Sequence, residues 1–344
     1  MKKTHLAGWG LIAVFFCGMI SATAASPNVA VKPCSDAKNK MDDVYCIGDR
    51  RVAHRSMISE AKEIAIGKKY AEQIDRSAKL VKDPVITEYV NRVEQNIAEN
   101  SDAKVPITVR IINSPQINAF TLPGGFIYVN TGLLKAASSE AQLAGVLAHE
   151  TGHVAARHWA SSMTKQTLLQ YAMIPLIFTP MSYPVYIGLS EGLNMGLPIA
   201  FLKFSRDDEQ QADFLGLQYM WKAGYDPNAY LAMFAKIIQD QHSDPGSVPS
   251  IFMDHPPTKD RIIKAEEEIK NILPKRKEYL VSTSEFQNVK AGMTTLLSAM
   301  KRNKKDKNAP TLIRREPSSQ PASTGKSSGQ SKGNDQPPVL RRRN

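Results

Sequence analysis

Hydrophobic and polar positions along the chain follow helical spacing over most of its length. Between 50 and 101, apolar residues recur three and four positions apart on both sides of Asp83-Pro84, which predicts helices there. Ser138 and Ser139 precede a second periodic stretch that reaches Trp159, and serine at that place favours a helix N-terminus. The same pattern predicts further helices over 205–223, 227–241, 257–272 and 285–301.

Two short runs have the composition of β-strands instead. Residues 105–112 are rich in β-branched side chains, and residues 126–129 follow a turn formed by Pro123-Gly124-Gly125. A few strands among many helices indicate an α+β fold that is mostly α. We expect the strands to form a small antiparallel sheet.

The N-terminal residues 1–25 have the pattern of a secretory signal. Two lysines precede an apolar run over 6–20, and small residues follow as far as Ala24 and Ala25, near which we expect cleavage. The alternative is an uncleaved membrane anchor, although the run is shorter than the about 20 residues that a span requires. Export to the periplasm is therefore expected. In an exported chain, the remaining pair Cys34 and Cys46 favours a disulfide in the extension over 26–59, rather than two free thiols.

Residues 166–202 carry Glu191 as their only charge, yet four prolines interrupt them. Prolines at that density disfavour a straight membrane-spanning helix. We expect this segment to form a buried helical hairpin. The alternative is an apolar loop that covers the active site or touches a membrane.

Net charge is concentrated at the ends of the chain. The formal charge is +11, of which residues 301–344 contribute +9 and residues 1–25 contribute +2, so the body between them is neutral. The region 303–344 is rich in Pro, Ser, Gly, Gln and Lys and lacks apolar periodicity, which predicts a disordered basic tail. In an exported protein this tail favours peripheral contact with an anionic membrane or cell-wall surface, and no nucleic-acid partner is expected.

Candidate metal chemistry lies in the helix predicted after Ser139. His149 and His153 are four residues apart, so both imidazoles lie on one helical face and can reach one cation. Neutral imidazole suits Zn²⁺, and Glu150 beside the first histidine is placed to act as general base.

A catalytic zinc needs a third protein ligand, and the helix over 205–223 supplies a candidate. Glu209 and Asp213 are again four residues apart; Glu209 would bind the metal and Asp213 would accept the second N–H of a ligand histidine. The alternative is a solvated acidic face, which the apolar run after Asp213 makes less favoured.

Five stretches together resemble the gluzincin metallopeptidase family that includes the CAAX prenyl proteases, the mitochondrial Oma-type peptidases and the bacterial periplasmic β-barrel-assembly-enhancing proteases. They are NAFTLPGGFIYVNTGLL from Asn118, HETGHVAARH from His149, SRDDEQQAD from Ser205, AGYDP from Ala223 and DHPPTKDR from Asp254 to Arg261. The resemblance implies a minigluzincin-like zinc metallopeptidase domain over 60–302 with one Zn²⁺ per chain.

The resemblance also implies roles for individual residues. His149, His153 and Glu209 would bind zinc, and Glu150 would be the catalytic base. His255 and Arg261 have the spacing of a pair that stabilises the oxyanion in membrane-bound relatives, whereas in some periplasmic relatives the equivalent histidine occupies the fourth zinc position. A substrate cleft would be lined by the strand over 125–130, whose exposed edge would pair with substrate backbone, and by its neighbours: Asn118, Ala119, Gly125 and Phe126.

On this resemblance the chain is expected to be a periplasmic zinc endopeptidase acting on misfolded or damaged envelope proteins. It lacks the multi-span membrane cage of the prenyl proteases, so prenyl-peptide processing is not expected. It also lacks the tetratricopeptide repeats of the β-barrel-assembly type, so docking onto the outer-membrane assembly machinery is not expected either. The rival from another class is a chaperone-like protein that binds unfolded outer-membrane polypeptides around a latent or structural zinc site.

Overall fold

Nine α-helices and three β-strands form the part of the chain that the computed structural model describes, which is residues 34, 40–173, 204–243, 255 and 258–307. The helices are α1 (Glu60–Ser77), α2 (Pro84–Glu99), α3 (Thr131–Ala136), α4 (Glu140–Ala156), α5 (His158–Met173), α6 (Arg206–Ala223), α7 (Asn228–Ser243), α8 (Lys259–Asn271) and α9 (Ser284–Lys307). The strands are β1 (Thr108–Ile112), β2 (Ala119–Leu122) and β3 (Phe126–Asn130). The expected class, α+β and mostly α, is confirmed.

Local sequence signals explain where several of these helices begin and end. The Asp83 side chain caps α2, and Pro84 occupies the first helical position, where a missing N–H costs nothing. Ser205 and Asp208 form a reciprocal capping box at the start of α6. Gly224 ends that helix with a φ of 94°, a conformation that glycine adopts without a Cβ penalty.

The sheet is mixed, with β3 in the centre and the strand order β1-β3-β2. β2 pairs antiparallel with β3, whereas β1 pairs with it in parallel, Thr108 lying opposite Phe126. The expectation of an antiparallel sheet therefore applies to one of the two strand pairs. The reason is β2, a four-residue strand too short for its alternation to be recognised, which forms a hairpin with β3 and leaves β1 to pair along the other side.

The helix predicted over 138–159 is divided at Arg157. This residue has a left-handed backbone with a φ of 55°, so α4 ends there and α5 begins at His158. Its guanidinium Nε donates to Glu63 Oε2 at 2.8 Å, and its Nη2 donates to the Ile58 carbonyl oxygen at 2.7 Å. Partners far away in sequence thus stabilise a conformation that local propensity disfavours.

Helix α4 is buried along nearly its whole length, and the buried residues include polar side chains such as Glu140, His149 and His153. Its first residue, Glu140, accepts hydrogen bonds from the hydroxyl groups of Tyr89, Tyr225 and Thr283, the first two at 2.8 and 2.9 Å. These donors come from three separate parts of the chain. Glu140 therefore fixes the N-terminus of α4 within the core.

The residues before α1 are closed by a disulfide of their own and held to the helical body by ionic and hydrogen-bond contacts. Cys34 and Cys46 form a disulfide bridge. The completely buried side chains of Arg50 and Asp102 form an ion pair with 2.6 Å between Nη2 and Oδ2, and Asp102 also accepts the Tyr219 hydroxyl of α6 at 3.0 Å. Removing one member of such an ion pair would leave an uncompensated buried charge, so the pair is costly to break. Because Asp102 contacts both Arg50 and Tyr219, it links the extension to α6.

Two glycines allow α4 and α6 to approach each other closely. A Cβ at Gly152 of α4 would lie 2.8 Å from the Ala212 carbonyl oxygen of α6. A Cβ at Gly216 of α6 would lie 3.0 Å from the backbone nitrogen of His149 in α4. The polar face of one helix is thereby brought directly against that of the other.

The remaining predicted segments lie partly or wholly outside the described residues. These are the signal at 1–25, the larger part of the apolar stretch, 174–202, and most of the basic tail, 308–344. The first residues assigned to the tail belong to α9, which ends at Lys307 rather than near 301. Among the helices that the structure describes, none combines the length and apolar character needed to cross a membrane.

Replacing Gly152 with alanine should destabilise the protein, although alanine is the better helix former. Helix propensity favours alanine by about 1 kcal/mol, but a methyl group so close to the Ala212 carbonyl forces a shift whose cost is about 1–3 kcal/mol. We expect a net loss of about 1 kcal/mol in the free energy of unfolding, measured with urea.

The matched control is Gly292→Ala in α9, where an added Cβ meets no atom within 4 Å. That substitution should stabilise by up to about 1 kcal/mol. A Gly152→Ala protein as stable as the Gly292→Ala protein would show that the two helices are not in close contact.

Candidate metal centre

Three imidazoles and one carboxylate converge between α4 and α6. They belong to His149 and His153 of α4, Glu209 of α6 and His255, all buried, and their possible ligand atoms lie within 4.8 Å of one another. His149 Nε2 is 3.1 Å from His153 Nε2, 3.4 Å from His255 Nδ1 and 3.6 Å from Glu209 Oε2. The structure thus brings the three candidate ligands together and adds His255 to them.

The spacing of this cluster fits a tetrahedral zinc ion. Ligand atoms that lie about 2.0–2.1 Å from zinc are about 3.3 Å from one another. Glu209 Oε1 is 3.5 Å from His153 Nε2 and 2.9 Å from His255 Nδ1. Imidazole nitrogen and carboxylate oxygen are also donors that zinc accepts. The side chains present therefore fit this metal in both geometry and chemistry.

Asp213 contacts His149 from the side opposite the cluster. Its Oδ1 lies 3.0 Å from His149 Nδ1, so Nδ1–H can donate to the carboxylate while the Nε2 lone pair faces the other candidate ligands. The Tyr230 hydroxyl donates to Asp213 and lies 3.1 Å from the same nitrogen. These contacts fix the orientation and tautomer of the His149 ring.

Arg261 binds two carboxylates of α6, those of Glu209 and Asp213. Its Nε and Nη2 donate to the two oxygens of Asp213 at 2.6 and 2.7 Å, and its Nη1 is 2.9 Å from Glu209 Oε2. A bidentate contact of this kind is geometrically specific as well as strong. The resemblance implied that Arg261 stabilises an oxyanion, whereas these contacts place its guanidinium where it positions Glu209 and Asp213.

The surrounding charges keep both carboxylates ionised. Burial alone would raise the pKa of Glu209, but His255 and His149 outweigh it and hold that pKa below its usual range. Burial likewise would raise the pKa of Asp213, and the hydrogen bonds from Arg261 and His149 lower it. Two negative charges therefore lie beside the histidines, and the Arg261 guanidinium compensates them together with any cation that the imidazoles bind.

The histidines of α4 differ in their affinity for protons. Burial lowers the pKa of His153 well below its usual value, which leaves the neutral imidazole that a metal requires. Burial also disfavours the charged form of His149, but hydrogen bonds to Asp213 and Glu209 raise its pKa to about 9. A metal ion at the cluster therefore competes for His149 Nε2 with the proton that the charged imidazole carries there.

His255 lies close both to Glu209 of the cluster and to the predicted general base, Glu150. Its Nδ1 faces Glu209, while its Nε2 is 3.6 Å from Oε1 of the completely buried Glu150. Of the two roles considered for His255, a fourth ligand position agrees better with these distances than an outward-facing oxyanion donor does.

Three further side chains contact the histidines without having been predicted from the sequence. Tyr230 reaches His149 from α7, Phe204 stacks on the His153 ring with 4.0 Å between centroids, and His158 Nδ1 is 2.9 Å from His153 Nδ1. In an unbroken helix, residue 158 would point about 140° away from residue 153. Periodicity therefore gave no signal for His158, which the break at Arg157 brings back to the site.

The residues predicted to line the substrate cleft lie along the sheet. Asn118 precedes β2, Ala119 begins it, and both are buried. Gly125 has a φ of 91° and lies before Phe126, the first residue of β3. Both edges of β3 are paired, so the prediction that this strand presents a free edge is wrong, and β2 is an edge strand instead. The assignment of the four residues to a cleft stays a prediction.

Comparison with known proteins agrees with these features. The sequence profile of peptidase family M48 matches residues 84–269. The beta-barrel assembly-enhancing protease of Escherichia coli (strain K12) is 29% identical over 239 residues, which cover 68% of this chain and 49% of the relative. The mitochondrial metalloendopeptidase OMA1 of Schizosaccharomyces pombe is 36% identical over 183 residues, covering 53% of this chain and 52% of the relative. The chain thus spans about half the length of these curated relatives.

The span matched by the family profile includes α2, the sheet, α4, α6 and nearly all of α8. These elements carry His149, His153, Glu209 and Arg261 and form the core around them. With a match over more than half of its length, the chain belongs to peptidase family M48, a family of metallopeptidases.

Proposed function

We propose that this chain is a zinc-dependent endopeptidase of the periplasm that cleaves misfolded or damaged envelope proteins. The observation that carries the proposal is the buried cluster of three histidines and Glu209 with the Glu150 carboxylate beside it. Location in the periplasm rests on the signal-like N-terminus, and the substrate class rests on the resemblance to envelope proteases.

In this proposal His149, His153 and Glu209 hold one zinc ion. Zinc bound there supplies Lewis-acid stabilisation of charge on the scissile carbonyl oxygen and makes water a stronger acid. Asp213 accepts a hydrogen bond from His149, and Arg261 keeps Asp213 and Glu209 in place. These contacts preorganise the ligands, so that little rearrangement is needed during the reaction.

Glu150 is the general base of the proposed reaction. Its carboxylate takes a proton from the attacking water, whose oxygen forms a bond with the scissile carbonyl carbon. The same carboxyl group then donates that proton to the leaving amine nitrogen as the C–N bond breaks. The carboxylate lies next to the candidate ligand His149 on α4, which supports this assignment.

His255 closes the proposed site in its resting state. Structural zinc sites have four protein ligands, whereas catalytic sites keep one position open. With Nδ1 among the ligands and Nε2 toward Glu150, His255 occupies the place that substrate needs. We propose that it must leave this position before hydrolysis begins.

The same four-ligand arrangement favours a second candidate function. If His255 never leaves, the zinc is structural and the chain binds unfolded outer-membrane polypeptides without cleaving them. The two functions are distinguished by whether loss of the His255 imidazole creates hydrolytic activity and whether Glu150 is needed for it.

His255→Ala should increase hydrolysis of an unfolded protein such as β-casein, because it opens the fourth ligand position. The expected change is an increase in turnover of zinc-loaded protein together with weaker zinc binding. The test compares fragment formation at equal zinc occupancy in the wild type and the variant. Reduced turnover with unchanged zinc affinity would contradict the closing role and favour an oxyanion role for His255.

Glu150→Gln, introduced into the His255→Ala protein, should retain zinc and lower turnover by about 10²–10⁴-fold, the usual contribution of a general base. Asp207→Asn removes an exposed carboxylate from the first turn of α6 and is the charge-matched control with unchanged turnover. Equal turnover with and without the Glu150 carboxylate would exclude it as the base. Zinc-loaded protein without turnover in any variant would favour the binding function.

Removal of residues 308–344, which follow α9, should weaken adhesion to anionic surfaces and leave peptide cleavage intact. This segment carries seven basic and two acidic residues, so its attraction to anionic lipid is electrostatic and decreases with salt. Co-sedimentation with phosphatidylglycerol vesicles at two salt concentrations measures the effect. Unchanged vesicle binding after truncation would contradict the proposed role of the tail.

A further inference from the structure

We propose that His158 is a positioning residue for the metal ligand His153, as the first member of a hydrogen-bond chain that ends at the Val52 carbonyl oxygen. The inference rests on the proposed zinc centre and extends it to residues that neither spacing nor the resemblance assigned a role. No contact between His158 and the metal itself is required.

The chain consists of three successive contacts. His153 Nδ1 is 2.9 Å from His158 Nδ1, His158 Nε2 is 3.0 Å from Gln211 Oε1, and Gln211 Nε2 is 3.2 Å from the Val52 carbonyl oxygen. His153 and His158 are both almost completely buried. Each contact lies within hydrogen-bond distance, and together they lead from the cluster to the segment that precedes α1.

The positions of the protons follow from the two ends of this chain. His153 Nε2 faces the cluster and must offer a lone pair to zinc, so the proton of the neutral ring is on Nδ1. His158 Nδ1 must accept that proton's hydrogen bond, which leaves N–H on its Nε2. Gln211 Oε1 accepts this N–H, and the amide NH₂ of Gln211 donates to Val52. Every donor in the chain therefore faces an acceptor.

These proton positions are incompatible with a second metal site on the other side of His158. His54, His158 and Asp208 have possible ligand atoms within 4.8 Å of one another, a spacing that could hold a metal ion. A metal on His158 Nε2 would leave the proton on Nδ1, opposite the protonated Nδ1 of His153. Two donors would then face each other 2.9 Å apart. His158 therefore serves the first centre and does not ligate a second ion beside it.

A hydrogen-bond acceptor behind a ligand histidine fixes its ring orientation and tautomer and increases its basicity. Loss of such a partner typically weakens metal binding by about 10–100-fold. Asp213 provides this contact for His149, and His158 provides the corresponding contact for His153.

The experiment measures zinc affinity by chelator competition and zinc stoichiometry in the full chain. His158→Phe keeps the ring size and removes the acceptor, and we expect about 10–100-fold weaker binding. His158→Asn places an amide oxygen near the former Nδ1, and its affinity should stay within about threefold of the wild type. His54→Ala is the control, because the His54 ring contacts His158 and Gln211 but is not part of the chain. This variant should bind one zinc ion with wild-type affinity.

Thermal unfolding of the metal-free proteins separates positioning from a general structural role, because similar melting temperatures with different zinc affinities support positioning. If His158→Phe does not fold, Gln211→Leu carries the test, since loss of the acceptor for His158 should also weaken zinc binding. Wild-type affinity in the folded Phe or Leu variant would overturn the inference. Two zinc ions per chain, one lost in His54→Ala, would overturn it as well. Wild-type protein unable to bind zinc would instead refute the proposed function on which the inference rests.

Discussion

Helices α4 and α6 meet at Gly152 and Gly216, where the absence of a side chain lets the two backbones approach. This packing sets the distance between the histidines of one helix and the acidic residues of the other. The fold around it serves the same contact: Glu140 fixes the start of α4, and the Arg50–Asp102 pair anchors the N-terminal extension on α6. A shift of one helix along the other would separate His149 from Asp213 and Glu209 together.

Burying several ionisable groups in one core is unfavourable unless each is compensated. Asp213 and Glu209 share the guanidinium of Arg261, and His149 contacts both of their carboxylates. Removing one member of a buried ionic network typically costs about 3–5 kcal/mol, because an uncompensated charge remains. The residues that hold the proposed metal centre thus also stabilise the protein, and Arg261 acts on the centre through its neighbours.

Much of the helical framework could be predicted from sequence, since amphipathic spacing, Ser205, Asp83 and Gly224 are local signals. Candidate ligands were recognisable for the same reason: residues four apart share a helical face. The features that could not be predicted depend on tertiary contacts or on elements too short to show a pattern. The break at Arg157 depends on Glu63 and the Ile58 carbonyl, β2 is too short to leave a pattern, and the contact of Tyr230 with His149 comes from the packing of α7.

The most direct test of the account is a crystal structure of the zinc-loaded protein with anomalous diffraction recorded at the zinc absorption edge. We expect one strong peak per chain, bound by His149 Nε2, His153 Nε2, Glu209 and His255 Nδ1. His158 Nδ1 should be directed at His153 Nδ1. A peak among His54, His158 and Asp208, or no peak between α4 and α6, would contradict it.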